Sequence, residues 1–245
     1  MNVPNDIILK IKSKIIDKSD YHYDTLTNSS LKLSDKILIY NSGDAWKIIP
    51  LNVLLSYPII YDEFVQENEK YDISIILCPV TLRCTIFKGI FECESYDNIR
   101  MILREKNTES IIPIDFGIKI DKKYLIQSNK RLETMIMTLK SGLMIAPDAQ
   151  TMIYKKTLSF ILPKTYYENT KDINNNELDG LIHPKTLVYI IQYKSYTSDD
   201  DKYSIILGKD AAKDAVTGYD SKKSGITEYL SIHRQKIINK NYDLF

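Results

Sequence analysis

The stretch LCPVTLRCTIFKG, residues 77–89, holds Cys78 and Cys84, and Cys93 is the third and last cysteine of the chain. A thiol can be a nucleophile, half of a redox couple, a metal ligand or a small apolar side chain, and spacing helps to separate these roles. Zinc sites pair cysteines about two to four residues apart and need a second pair. Here the gaps are five and eight residues, and no histidine lies close in sequence. Dithiol redox couples use C-x-x-C, which is absent. If residues 73–80 and 84–88 form adjacent strands, Cys78 and Cys84 could approach, and a disulfide would need a Cα separation of about 5.5 Å. An odd cysteine count and the lack of a readable signal peptide point instead to a reducing compartment, the cytoplasm. The expected state is buried free thiols with no metal and no cofactor. Cys78 ends the apolar run ISIIL, which suits a strand buried on both faces.

The remaining chemistry is sparse. The histidines are His22, His183 and His233, and no H-E-x-x-H motif contains them. His183 precedes a strand-like run and reads as a turn residue. If the protein is an enzyme, Cys78 is its centre, with Cys84 and His183 in support. No phosphate-binding glycine loop is present, and only eight glycines exist to build one. Acidic groupings at Asp62-Glu63, around Asp172 and Asp179, and at Asp199-Asp200-Asp201 match no calcium loop. The aspartate triplet reads as a solvated hairpin tip.

The elements that would position these groups are mostly strands. KILIYNSGDAWKIIPL reads as two strands about a turn at 41–44, with Gly43 at positive φ. YDISIILCPV, LRCTIFKG and IFECESY are further strand-like runs, followed by SIIPIDFGIKI, KYLIQS, TMIYKKTLSFIL, KTLVYIIQYKSY and KYSIILG. Helical spacing of Ile7, Ile8, Ile11 and Ile15 predicts a helix over 5–18, and PLNVLLSY a short one opened by Pro50. KDAAKDAVTG and GITEYLSIHRQKIINK are later helix candidates. Strands outnumber helices without β-α-β alternation, so the expected fold is mainly β (α+β). It is a single domain over 1–245, an antiparallel barrel or sandwich with a few short helices, and 166–181 is an exposed loop or insertion.

The chain has 245 residues, 44% hydrophobic and 27% charged, with a net charge of +1. That composition is globular. It gives no global field toward nucleic acid, and the lysine doublets at 122–123, 155–156 and 222–223 read as solvated surface. No apolar run reaches the about 20 residues of a membrane helix. Abundant Ile, Lys, Asn and Tyr, with lysine far above arginine, fit an A/T-rich genome such as that of a large DNA virus.

GDAWKIIPLNVLLSYPIIYDEF followed by LCPVTLRCTIFKG resembles the prokaryotic domain-of-unknown-function family 3179. That family reads G-x-A-x-A-Y-P-L, then H-E-I-V-N-D, then C-P-L-[TC]-G. Gly43, Ala45, Pro50 and Leu51 match the first motif. Ile59, Ile60 and Asp62 match the second, with Tyr57 and Pro58 in place of His-Glu. Cys78, Pro79 and Thr81 match the third, with Leu82 in place of glycine. DFGIKI at 115–120 is similar to F-G-x-S-G, with Lys119 and Ile120 replacing Ser-Gly, and HPKTLVYII from His183 is similar to H-P-x-T-x-V. The resemblance covers about 38–210. It implies a family scaffold that keeps Cys-Pro and has lost the other polar hallmarks. The resulting expectation is a non-catalytic β-rich scaffold or interaction protein, a structural or accessory component of a large DNA virus, located in the cytoplasm or virion. Its expected partners are other proteins, copies of itself or virion components. The competing expectation is a thiol-centred enzyme or small-ligand binder using Cys78.

Overall fold

The computed structural model describes residues 3–114, 131–132, 134–168, 188–194, 201–207 and 228–229. Helix α1 (Asn5–Lys12) is followed by strands β1 (Ile15–Ile16) and β2 (Tyr21–Asp24). A hairpin of β3 (Lys36–Asn41) and β4 (Trp46–Pro50) leads through helix α2 (Leu51–Ser56) to a meander of β5 (Ile59–Gln66), β6 (Glu69–Leu77) and β7 (Cys84–Lys88). A second meander comprises β8 (Phe91–Asp97), β9 (Arg100–Glu105) and β10 (Ile111–Pro113). Then come β11 (Arg131–Leu132), β12 (Met135–Thr138), helix α3 (Leu139–Ile145), β13 (Gln150–Tyr154) and helix α4 (Lys164–Glu168). Strands β14 (Val188–Lys194), β15 (Asp201–Leu207) and β16 (Glu228–Tyr229) form a small sheet of their own.

The fold is mostly β and sandwich-like. The first central sheet has the order β1-β5-β6-β7-β11 and the second β12-β3-β4-β13-β2. Among the described residues both are open, so the barrel alternative gives way to the sandwich. Pairing is largely antiparallel, with parallel exceptions at β1–β5 and β13–β4.

Period-two alternation builds the layers. Leu38, Tyr40 and Ile49 of the second sheet meet Ile60, Ile73, Ile75, Leu77, Cys84 and Ile86 of the first. The intervening residues of the first sheet, Ile59, Tyr61, Ile76 and Phe87, point the other way. They pack on Ile11 of α1 and on Phe91, Cys93, Met101 and Leu103 of the third sheet, β10-β9-β8. On the outer side of the second sheet, Ile37, Ile39 and Ile48 pack under Leu139 of α3. Both faces of Ile73–Leu77 are therefore dry, as its apolar sequence, broken only by Ser74, predicts. Each such isoleucine contributes about 1.5–3 kcal/mol of burial free energy. The Ser74 hydroxyl ties the first sheet to the third, donating to the Gly89 carbonyl and accepting from the Phe91 amide, both at 2.8 Å.

Several elements depart from the sequence reading. Helix α1 stops at Lys12 because Ile15 and Ile16 pair with Ile59 and Ile60, so tertiary pairing overrides helical spacing there. The run 151–162 is a strand only to Tyr154. Glu228–Tyr229, inside a predicted helix, pairs with β14. The predicted helix at 209–218, the strand at 123–128 and most of the 166–181 loop lie outside the described residues.

Candidate functional site

Cys78 sits just past β6 in a tight turn. Its amide donates to the Arg83 carbonyl at 2.8 Å, and its carbonyl accepts from the Leu82 amide at 2.7 Å. Leu82 has φ +56°, in the left-handed region that favours glycine. The Leu77 amide donates to the Pro58 carbonyl at 2.8 Å, so the motif positions at 57–58 and 77–79 come together at one end of the first sheet. Tyr57 stacks edge-on against Tyr154 with ring centroids 5.2 Å apart. Tyr166 closes the turn by donating to the Val80 carbonyl at 2.9 Å.

Convergence does not make the thiol accessible. Cys78 is fully buried, clustered with Ile76, Val80 and Phe87. Its sulfur lies 3.4 Å from the Tyr96 hydroxyl and donates to the Ile99 carbonyl at 3.9 Å. Cys84 pairs with Leu77, one residue out of phase with Cys78, and faces the inter-sheet core instead. The structure thus separates the two cysteines that sequence proximity suggested as partners. Cys78 shares its layer with Cys93, whose thiol is pushed up to about 12, first by burial and then by Cys78 nearby. Thiolate is the reactive form, so Cys93 is inert at neutral pH. All three cysteines are buried, and none is joined to another by a disulfide. His183 lies outside the described residues, as do Lys119, Ile120, Asp172, Asp179, Asp199 and Asp200, while His22 is exposed on β2. Among the described residues no group of three His, Cys, Asp or Glu could hold a metal ion, and no helix is long and apolar enough to cross a membrane. Of the lysine doublets only Lys155–Lys156 is described. It is exposed, and Lys156 is engaged by Asp20.

The densest polar chemistry lies elsewhere, between the central sheets. Asp62 of β5 forms a buried ion pair with Lys47 of β4, whose Nζ stands 3.3 Å from Oδ1 and 3.2 Å from Oδ2. Tyr23 donates to Oδ2 at 2.7 Å, and Tyr40 donates to the same oxygen. The Glu63 amide donates to Oδ1 at 2.8 Å, and Lys47 also lies 4.5 Å from the Tyr23 ring centroid. Burial, reinforced by Asp62 and Tyr21, holds the Tyr23 and Tyr40 hydroxyls well above the usual tyrosine range, so both stay protonated donors. Burying two charges costs several kcal/mol per ion before pairing offsets it, so Asp62 and Lys47 are tolerated only because every oxygen is partnered.

Sequence reasoning passed over this cluster, although a signal existed. Asp62 is two residues from Ile60, Lys47 two from Ile49, and Tyr40 two from Leu38, so each shares a strand face with a core residue. A charged residue in phase with an apolar face marks a buried charge.

Comparison of the chain with protein-family models, curated proteins and solved structures finds no match. The class is therefore defined by the fold itself: a layered, mostly β sandwich-like protein.

Proposed function

We propose that the protein is a non-catalytic β-rich scaffold or interaction protein, an accessory or structural component of a large DNA virus, built on a divergent framework of family 3179. The observation that carries the non-catalytic reading is the burial of Cys78 beneath aliphatic and aromatic side chains. A thiol enzyme needs its sulfur at a surface or in a concave pocket. The family framework draws support from two backbone positions. Gly43, shared with the first motif, has φ +94°, and an added Cβ would stand 1.6 Å from the Val65 carbonyl oxygen. Leu82, where the motif has glycine, keeps the left-handed conformation that glycine favours. The viral setting rests on the A/T-biased composition, and the preference for protein partners on the 18 tyrosines and near-neutral charge.

The test is purification from the native source, followed by mass spectrometry of what co-purifies. A stoichiometric complex with identified virion proteins, or with further copies of the chain, is the expected result. A monomer carrying a bound small molecule overturns the proposal, as does rapid native-state labelling of Cys78.

A further inference from the structure

We propose that Lys47 and Asp62 condense into an amide, a covalent staple joining the two central sheets. The two residues come from different sheets, and their side chains are only 11% and 6% exposed. Lys47 Nζ is within 3.3 Å of both Asp62 oxygens and therefore close to Cγ between them. A nucleophile held this way for the lifetime of the fold reacts at a very high effective concentration, so an intrinsically slow step can still go to completion.

The step balances without any co-reactant. The ammonium first passes one proton to Oδ1, giving a neutral amine and a neutral acid. Nζ then bonds to Cγ, and the negative charge of the adduct collects on Oδ2. Tyr23 and Tyr40 already donate hydrogen bonds to that atom, so donors are in place where charge develops. A second proton moves from Nζ to Oδ1, the Cγ–Oδ1 bond breaks, and water leaves. One proton remains on the amide nitrogen, and no atom changes oxidation state. The staple replaces a desolvated ion pair by a neutral linkage that cannot dissociate. It does not depend on the scaffold reading, since an enzyme could carry it equally well.

The test is the intact mass of the full chain, measured on fresh protein and again after prolonged incubation in the folded state. The expected mass is below that of the sequence by one water molecule, with the loss mapped by peptide sequencing to a branched peptide containing both Lys47 and Asp62. Lys47→Arg should keep its full sequence mass. Tyr40→Phe should condense more slowly than the unaltered protein. A chain that stays at its full sequence mass overturns the proposal, and so does a water loss mapped to any other residue. Neither outcome bears on Cys78 or on which proteins co-purify, so this inference and the scaffold reading fail separately.

Discussion

The two faces of the first central sheet are equally dry and chemically opposite. Toward the second sheet, the same layer that holds Ile60, Ile75 and Ile86 also accommodates Asp62, bound by one lysine and two tyrosines. Toward the third sheet, Ile59, Ile76 and Phe87 share space with Cys78 and Cys93, and the Cys78 thiol makes only weak hydrogen bonds. A carboxylate in a dry layer accepts very few arrangements, because a missing partner leaves a buried charge unpaired. A thiol accepts many, because it behaves as a small apolar group. The inter-sheet face should therefore fix how the sandwich assembles, and the thiol face should tolerate change.

The largest effect that could break this contrast is Asp62→Leu. Compared with fresh protein in which the Lys47–Asp62 amide has not yet formed, it leaves Lys47 buried without its counter-ion, and the expected cost is about 3 kcal/mol or more in denaturant unfolding. A loss below about 1 kcal/mol would show that Lys47 finds water, and the inter-sheet face would lose its special status.

Gly43→Val comes next. The turn at Gly43 is clamped to β5 by the Val65 amide, which donates to the Ser42 carbonyl at 2.7 Å. A side chain at Gly43 would collide with the Val65 carbonyl, and a β-branched residue resists φ +94°. About 2 kcal/mol of destabilisation is expected, with local loss of amide-exchange protection at Val65. Unchanged protection there would show that the turn moves independently of the first sheet.

On the thiol face, Cys78→Ala should cost only about 1–2 kcal/mol, the scale for deleting a small buried group. Native labelling of Cys78 and Cys93 should be far slower than labelling of the unfolded chain. The Cys93 contribution has a definite sign. Its folded thiol titrates near 12 against an ordinary value of 9.0. Its stabilising contribution is present below the ordinary value and is lost as pH rises toward 12, because only the unfolded thiol ionises in that window. Cys93→Ala should remove that part of the alkaline loss in unfolding titrations, and an unchanged pH profile would refute the assignment.

These predictions also show what the sequence made legible. The buried run before Cys78 and the positive φ of Gly43 were readable, because each depends on local pattern: near-continuous apolarity or a turn composition. The assignment of Cys78 and Cys84 to opposite faces depended on one residue of strand register, which the proline-containing turn between them obscures. The Asp62 cluster draws on four strands from two sheets. Only the phase of β3 and β4, the predicted hairpin, was visible; β5 was not read as a strand, and the meeting of Tyr23, Tyr40, Lys47 and Asp62 depends on how the sheets stack. Short β2 was missed because its strand character comes from pairing with β13 rather than from an apolar run.

The smallest expected effect separates backbone from packing at the Cys78 turn. Leu82 stores about 1–2 kcal/mol of left-handed strain, yet its half-buried side chain packs against the inter-sheet core. Leu82→Gly relieves the strain, gives up that packing and adds freedom to the unfolded chain. These terms oppose one another at similar size, so the net change should stay within about 1 kcal/mol of zero. Leu82→Val keeps much of the packing but suffers more from φ +56°, so it should be the less stable variant of the two. Paired unfolding curves decide the matter. A glycine variant that is clearly worse than the valine variant would mean that side-chain contact, not backbone geometry, holds this turn. The correspondence with a glycine position in the family pattern would then lose its physical basis.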